Sequence, residues 1–378
     1  MTIHLAPIPS LRIIWQALFS GFSDGDSWRD LGSNKHIQFY SYGRLAMAEA
    51  VKIILAKKGK EKGRVWVPDY FCNEVLIPLR LKKISLYFYP VKEDLSPDWE
   101  KIKMGVGGAY PPDVFVLVHY FGFSSSLDES KAFCDNCGAE LLEDCAHLLA
   151  PVNGAGQNTA VFSPRKLLSL PEGGLLIMSD NSSFQQVKKE FSAGTKLTLK
   201  WLALRLSQRL MLVLGISWHY FRDLAGGNAK ICSTDKISGN MKMSTCKFTL
   251  KLLTVIEKSF KQILKKRRIN YMRLSRGADA VKGVKLLFSS LPDYVCPYIF
   301  PMIVSDGRDV MLRQLNHFGI PAASWPDLPL EVLKRPEQHE AAIWLKDHIL
   351  LLPLHQDLSN EQVEYMVFKL KEILEKKG

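Results

Sequence analysis

The chain has 378 residues, long enough for two domains with a full-sized core. Hydrophobic residues make up 47% and charged residues 23%, the balance of a soluble globular enzyme, and neither a solenoid-length repeat nor a low-complexity tract is present. A formal net charge of +12 suits anionic ligands such as phosphates and diphosphates, but no zinc finger, basic zipper or aromatic RNA-binding signature accompanies it, which leaves nucleic acid without support.

The N-terminus has no basic cap before an apolar run and no small-residue cleavage site, so no secretory signal is expected. Residues 1–36 read as an N-terminal arm. From residue 37 to 250 short apolar runs alternate with helical patterns. Val65 to Pro68, Ile84 to Val91, Val114 to Phe121, Glu140 to Asp144, Thr159 to Ser163 and Gly174 to Met178 read as buried strands. Arg44 to Ala56, Asn73 to Leu81 and Leu127 to Cys137 read as helices. This alternation predicts an α/β fold, with a mostly parallel central sheet in a large domain that binds ligands at the carboxyl ends of its strands.

Residues 181–221 read as a basic helical insertion. A transmembrane span is not expected, because Lys196, Lys200, Arg205 and Arg209 interrupt the leucines. At about 100° per residue the two lysines point away from the two arginines, so no single basic face forms. The reading is a helix that lies on its own protein or a partner subunit, with membrane-surface contact disfavoured. Ala225 to Gly239 reads as loop, and Lys247 to Leu274 as one long helix whose basic centre, Lys265-Lys266-Arg267-Arg268, is a solvated face. Pro297 to Val304, Val310 to His317 and Glu361 to Lys376 then read as strand, helix and helix, and predict a smaller α+β C-terminal domain over 251–378.

Seven cysteines without a disulfide-like framework point to a reducing cytoplasm. The one CxxC, Cys134 and Cys137, lacks a second ligand pair, so no metal site is expected and the thiols end a helix.

Three clusters can carry chemistry. Phe162-Ser163-Pro164-Arg165-Lys166, followed by Glu172-Gly173-Gly174, puts a lysine just after a buried strand, where desolvation favours a neutral amine able to form a Schiff base. Leu141-Leu142-Glu143-Asp144-Cys145-Ala146-His147 puts an acid at a strand end, either as the partner of a protonated pyridine nitrogen or as a helix cap. Tyr40-Ser41-Tyr42-Gly43-Arg44 opens a helix whose amides, with the Arg44 charge, could bind a phosphate.

In this order the motifs resemble the DegT/StrS-type sugar aminotransferases among fold-type-I pyridoxal-phosphate enzymes. The resemblance runs from about Phe39 to the C-terminus and rests on six matches. They are the glycine turn and helix at Tyr42–Met47, the strand end Val67–Cys72, the acid motif Glu143–His147, Lys166 through Glu172-Gly173-Gly174, the asparagine loop Gly239–Ser244 and the tail Leu352–Gln356. Two positions depart from the pattern: Ser163 lies closer to the lysine than the family's serine, and Arg44 replaces the polar residue after the turn glycine.

The resemblance implies that pyridoxal 5'-phosphate is held on Lys166 by a Schiff base, with Asp144 at the ring nitrogen and His147 beside the ring. Ser163, Gly43, Arg44 and Asn240 would hold the phosphate, Asn240 reaching across from the neighbouring subunit of a homodimer. The implied reaction moves an amino group from an amino acid, often glutamate, to a nucleotide-linked keto sugar, for surface polysaccharide or related glycan synthesis. Two alternatives stand beside it: a cofactor-dependent sugar dehydratase, against which Lys166 speaks because histidine replaces the lysine there, and a cofactor-binding or interaction protein without turnover. The ring-stacking position falls within Tyr70, Phe71 and Cys72.

Overall fold

The computed structural model describes residues 3–19, 36–108, 111–152, 154–156, 158–178, 195–214, 245–325 and 327–375. Seven strands form the large sheet: β1 (His36–Tyr40), β2 (Arg64–Pro68), β3 (Ser85–Tyr89), β4 (Val114–Val118), β5 (Glu140–Cys145), β6 (Ala160–Phe162) and β7 (Gly174–Met178). Their order is β1-β7-β6-β5-β4-β2-β3. Strands β2 to β6 pair in parallel, and β7 runs antiparallel to both β6 and β1. Every residue of β4 is buried, so neither face of this strand meets water and its sequence is apolar throughout.

The helices of this half are α1 (Leu11–Phe19), α2 (Gly43–Lys57), α3 (Asn73–Leu81), α4 (Trp99–Gly108) and α5 (Leu127–Cys137). Helix α2 crosses the sheet over β5, β6 and β7, burying ten successive or near-successive residues from Leu45 to Leu55. Then come α6 (Thr195–Val213), α7 (Lys247–Glu257) and α8 (Phe260–Asp279). A second sheet of three antiparallel strands follows, β8 (Val284–Leu286), β9 (Phe300–Val304) and β10 (Ile349–Leu352), with β9 in the middle. Around it lie α9 (Arg308–His317), α10 (Leu330–Leu333), α11 (Glu340–His348) and α12 (Asn360–Glu375), and α12 packs on α8 and α9.

The two halves are joined by polar contacts as well as by a common core. Arg80 of α3 reaches Glu331 of α10 through two nitrogens, at 3.0 and 2.6 Å. Buried Asp69 accepts from His339 at 3.0 Å. The N-terminal segment runs to the C-terminal half, where the Ile8 amide donates to Asp357 at 3.0 Å.

The α/β class, the mostly parallel sheet and nine expected elements are present at or near their predicted bounds. Several expectations are corrected. The run from Val114 to Phe121 is strand only to Val118, because Phe121 turns left-handed (φ 56°) and breaks the pleat. The run from Ile84 is strand only over Ser85–Tyr89, and β9 begins at Phe300 rather than Pro297. The expected single helix from Lys247 is two, because Ser259 leaves helical geometry (ψ 7°) and stands at the N-cap position of α8. The Leu352–Gln356 tail begins with the last residue of β10 and continues past the strand. Of residues 181–221, the described part is 195–214, helical over Thr195–Val213, and the loop Ala225 to Gly239 lies outside the described residues. Cys134 and Cys137 close α5, as expected.

Candidate active site

In a parallel sheet all carboxyl ends share one edge, and this topology brings four segments there: Asp69–Cys72 after β2, His119–Gly122 after β4, Ala146-His147 after β5 and Ser163–Lys166 after β6. Strand β1 ends and β7 begins at the same edge, with Tyr40 paired to Gly174.

Lys166 closes a short 3-10 turn after β6, and its Nζ lies 3.0 Å from His147 Nε2. The other ring nitrogen, Nδ1, accepts the Phe121 amide at 3.1 Å. Since Nδ1 is an acceptor, the proton of a neutral ring sits on Nε2, on the side that faces Lys166. Burial pushes His147 well below the ordinary imidazole range, and the Lys166 charge pushes the same way, so the ring stays neutral. His147 is clamped flat between Phe121 (5.7 Å, 7°) and Tyr298 (4.6 Å, 14°), with Trp325 edge-on at 6.1 Å.

Asp144 is buried at the end of β5, and Oδ1 accepts the Ala146 amide at 2.9 Å. Among the described residues no helix lies between β5 and β6, so the helix-cap reading fails. Burial raises the Asp144 carboxyl above its ordinary range, opposed by the Lys166 charge, the Ala146 amide and His119. A carboxylate in this place is held ionised by a cation close to it, which is the service a protonated pyridine nitrogen would render. Its sequence neighbours point to the opposite face. There Glu143 accepts from His119 Nε2 at 3.0 Å and from the Gly156 amide at 2.7 Å, and Cys145 lies beside them. The His119 amide also donates to the Asp144 carbonyl at 3.1 Å, so this buried pair fixes the strand end that carries Asp144.

Gly43 opens α2 against Ser163: a Cβ on Gly43 would stand 3.4 Å from the serine Cβ and 3.5 Å from its Oγ. A helix N-terminus and a serine hydroxyl are therefore adjacent, a donor set that fits a phosphate. Arg44 lies over the Tyr42 ring (4.8 Å) and pairs with Glu74 (3.5 Å), and its buried Nε has no hydrogen-bond partner. The glycine pair has a steric reason: a Cβ on Gly174 would meet the Tyr42 carbonyl carbon at 2.3 Å. Glu172 accepts the amide of Cys246, the N-cap residue of α7. Asn240 lies outside the described residues.

Sequence reasoning missed Phe121, Tyr298, Trp325 and Arg267. The first three are loop aromatics without a motif. The fourth overturns the solvated-face reading of the Lys265–Arg268 run: Arg267 is buried and donates to the carbonyls of Leu167 (2.7 Å), Leu354 (2.8 Å), Tyr298 (3.0 Å) and Pro297 (3.1 Å) and to Gln356 (3.0 Å). A signal was present, since Arg267 falls four residues after Ile263 and seven before Leu274 on the apolar stripe of α8. Arg268 also turns inward, to the carbonyls of Pro292 and Val295. Of the three stacking candidates, Tyr70 and Phe71 are buried in the core, whereas Cys72 is half-buried. Burial raises its thiol, and the Lys166 charge opposes the rise.

Strand order, a lysine at the end of β6 and a buried acid at the end of β5 define a fold-type-I pyridoxal-phosphate transferase, and the donor set fits that cofactor. The chain belongs to the DegT/DnrJ/EryC1/StrS aminotransferase family, whose profile matches residues 88–371. It is thus a pyridoxal-phosphate-dependent aminotransferase. No curated protein matches the chain. Its fold is similar to that of the aminotransferase TlmJ from Streptoalloteichus hindustanus (17% identity, all of both chains, TM-score 0.71). It is also similar to PseC of Helicobacter pylori, an aminotransferase involved in the biosynthesis of pseudoaminic acid (15% identity, all of both chains, TM-score 0.69). A third similar structure is the PLP form of the putative sugar aminotransferase Spr1654 from Streptococcus pneumoniae (14% identity, 100% of this chain and 99% of that one, TM-score 0.72). Among the described residues, no helix is long and apolar enough to cross a membrane.

Proposed function

We propose that this aminotransferase moves an amino group from an amino acid, glutamate first among the donors, to the keto group of a nucleotide-linked sugar, and that it works as a homodimer with shared sites. The observation that carries the reading is the Lys166–His147 pair at 3.0 Å beside buried Asp144. The net charge of +12 supports a diphosphate-bearing substrate. PseC and Spr1654 support a sugar as acceptor, by the names they carry.

Pyridoxal phosphate, when bound, supplies an electron sink for the carbon that loses its proton. The chain's own residues do the rest. Lys166 takes a proton from the donor α-carbon and returns one on the other side of the exchange, for which a free-base Nζ is the required starting state. Asp144 keeps the ring nitrogen protonated by charge. His147, neutral and clamped between Phe121 and Tyr298, aims Nε2–H at the lysine. Ser163, the Gly43 end of α2 and Arg44 hold the phosphate, joined by Asn240 of the second copy. The donor leaves as a 2-oxo acid and the sugar as an amine.

The test is incubation of the purified chain with glutamate and a panel of nucleotide-linked keto sugars, with mass detection of products. An amino sugar with matching 2-oxoglutarate is the expected result. Loss of water from the sugar without nitrogen transfer would replace this reading by the dehydratase.

A further inference from the structure

Two helices present an apolar face to solvent. On α1, Leu11, Trp15, Leu18 and Phe19 are exposed, Trp15 by 65% and Phe19 by 68%. At about 100° per residue these four share one arc of the helix, flanked by exposed Arg12 and Gln16. On α6, Leu199, Leu206 and Leu210 are exposed and form one stripe with Ala203, continued by Leu214 just past the helix, beside exposed Lys200. Both helices lie on α7. Helix α1 packs along it, and α6 meets it through Trp201 against Phe248 and Thr198 against Cys246. Arg209 of α6 donates to the carbonyls of Ile8 and Pro9, just before α1 begins, which brings the second half of α6 beside the start of α1.

As expected, the lysines and arginines of α6 do not share one face, and the structure turns the arginines onto the protein itself. Arg205 and Arg209, which oppose the lysines on the helical wheel, are not on a second solvent face. Arg209 is spent on the Ile8 and Pro9 carbonyls, and Arg205 lies over the Trp201 ring (5.7 Å) and donates to Gln208. What faces water is leucine and aromatic surface with a basic fringe, and neither α1 nor α6 contains an Asp or Glu.

We infer that α1 and α6 together form a platform that lays this protein on an anionic phospholipid surface. Exposed tryptophan and phenylalanine beside leucines suit the headgroup boundary, and a basic, acid-free rim suits anionic lipid. Charge separates this occupant from a second copy of the chain. A two-fold contact that sets the patch against itself offers Arg12 and Lys200 no acid from α1 or α6 of the copy, whereas anionic lipid complements them.

The test is flotation of the full chain with phosphatidylcholine vesicles and with vesicles of equal parts phosphatidylcholine and phosphatidylglycerol. Binding to the second kind only, weakened by salt, is expected. The double variants Trp15→Glu/Phe19→Glu and Leu206→Glu/Leu210→Glu should each lower the bound fraction at least about tenfold with the sedimentation coefficient unchanged. A conservative control covers variants that misfold: brominated lipid should quench tryptophan emission of the wild type, and less so in Trp15→Phe. Three results overturn the proposal: no binding to phosphatidylglycerol vesicles, binding that survives both double variants, or a fall in oligomeric mass in those variants, which would make the face a subunit contact.

Discussion

The guanidinium of Arg267 donates to the carbonyl oxygen of Leu167 at 2.7 Å, one residue past Lys166 and 100 positions away in sequence. The same side chain holds the carbonyls of Leu354, Pro297 and Tyr298, so it ties the lysine turn to the segment that carries one of the two rings around His147. Burial lowers its pKa without removing its charge, and four carbonyl dipoles plus Gln356 are the compensation.

Arg267→Met should therefore destabilise the fold by about 3 kcal/mol or more, because buried carbonyls are left without donors. Arg267→Lys should recover part of that loss, since an ammonium keeps the charge and lacks the planar fork. Denaturant midpoints of the three proteins check this. Equal midpoints for wild type and Arg267→Met would show that water replaces the guanidinium at no cost.

Reduction with borohydride in the presence of pyridoxal phosphate should fix the cofactor to Lys166, as peptide mapping would show. Its Nζ stands at the carboxyl edge of the sheet, 3.0 Å from His147 Nε2 and near buried Asp144. Cofactor found on another lysine would displace Lys166 from the centre of the site.

Asp144→Asn keeps the shape of the strand end and removes its charge. Turnover should fall by about 3 kcal/mol of barrier or more, roughly a hundredfold, with the denaturant midpoint little changed. Near-native turnover would mean that the carboxylate serves only the Ala146 turn.

Lys166 and Asp144 were legible in the sequence because each sits at the end of a buried apolar run, and a parallel sheet gathers such ends at one edge. The clamp around His147 was not. Phe121 looked like the last residue of a strand, and only its left-handed backbone turns its amide to His147. Tyr298 comes from the other half of the chain, and no local pattern announces a ring that stacks 151 residues away in sequence. Arg267 was hidden by its neighbours, since charge counting treats the four basic residues alike while the helix phase singles out one. The wheel rightly set the arginines of α6 opposite the lysines, but it gives directions and not what lies in them, so the Ile8 and Pro9 carbonyls that Arg209 reaches stayed hidden.

His355 is buried, donates from Nε2 to the His4 carbonyl at 2.9 Å, and is pushed down to about 3 by burial and then by the Arg267 charge. Its folded pKa lies below the unfolded value of about 6.5. Between those values the unfolded chain binds more protons, so this site's contribution is complete above about pH 6.5 and is lost as pH falls toward 3. From pH 6.5 to 5 the loss is about 2 kcal/mol, at about 1.4 kcal/mol per unit. His355→Gln should have a shallower decline in stability over that range. Parallel denaturation curves at both pH values would show that His355 is not the group that titrates.

Dimerisation with shared sites has a test that needs no structure of the pair. In sequence Asn240 lies between α6 and α7, and Glu172, six residues after Lys166, accepts the amide of Cys246, the N-cap residue of α7, so the chain entering α7 starts next to the lysine turn. If Asn240 serves the phosphate of the other copy, each site combines one chain's Lys166 with its partner's Asn240. Mixing a Lys166→Ala chain with an Asn240→Ala chain then yields mixed pairs in which one site has both lesions and the other has neither. Activity should rise above that of either parent, toward a quarter of wild type in an equal mixture, because about half the pairs are mixed and half their sites are intact. Asn240→Ala must be impaired alone, and subunit exchange is confirmed by mass spectrometry of the mixed pair. With both conditions met, activity that stays at the parental level would place Asn240 in its own chain's site, and an active monomer by sedimentation would remove the shared site altogether.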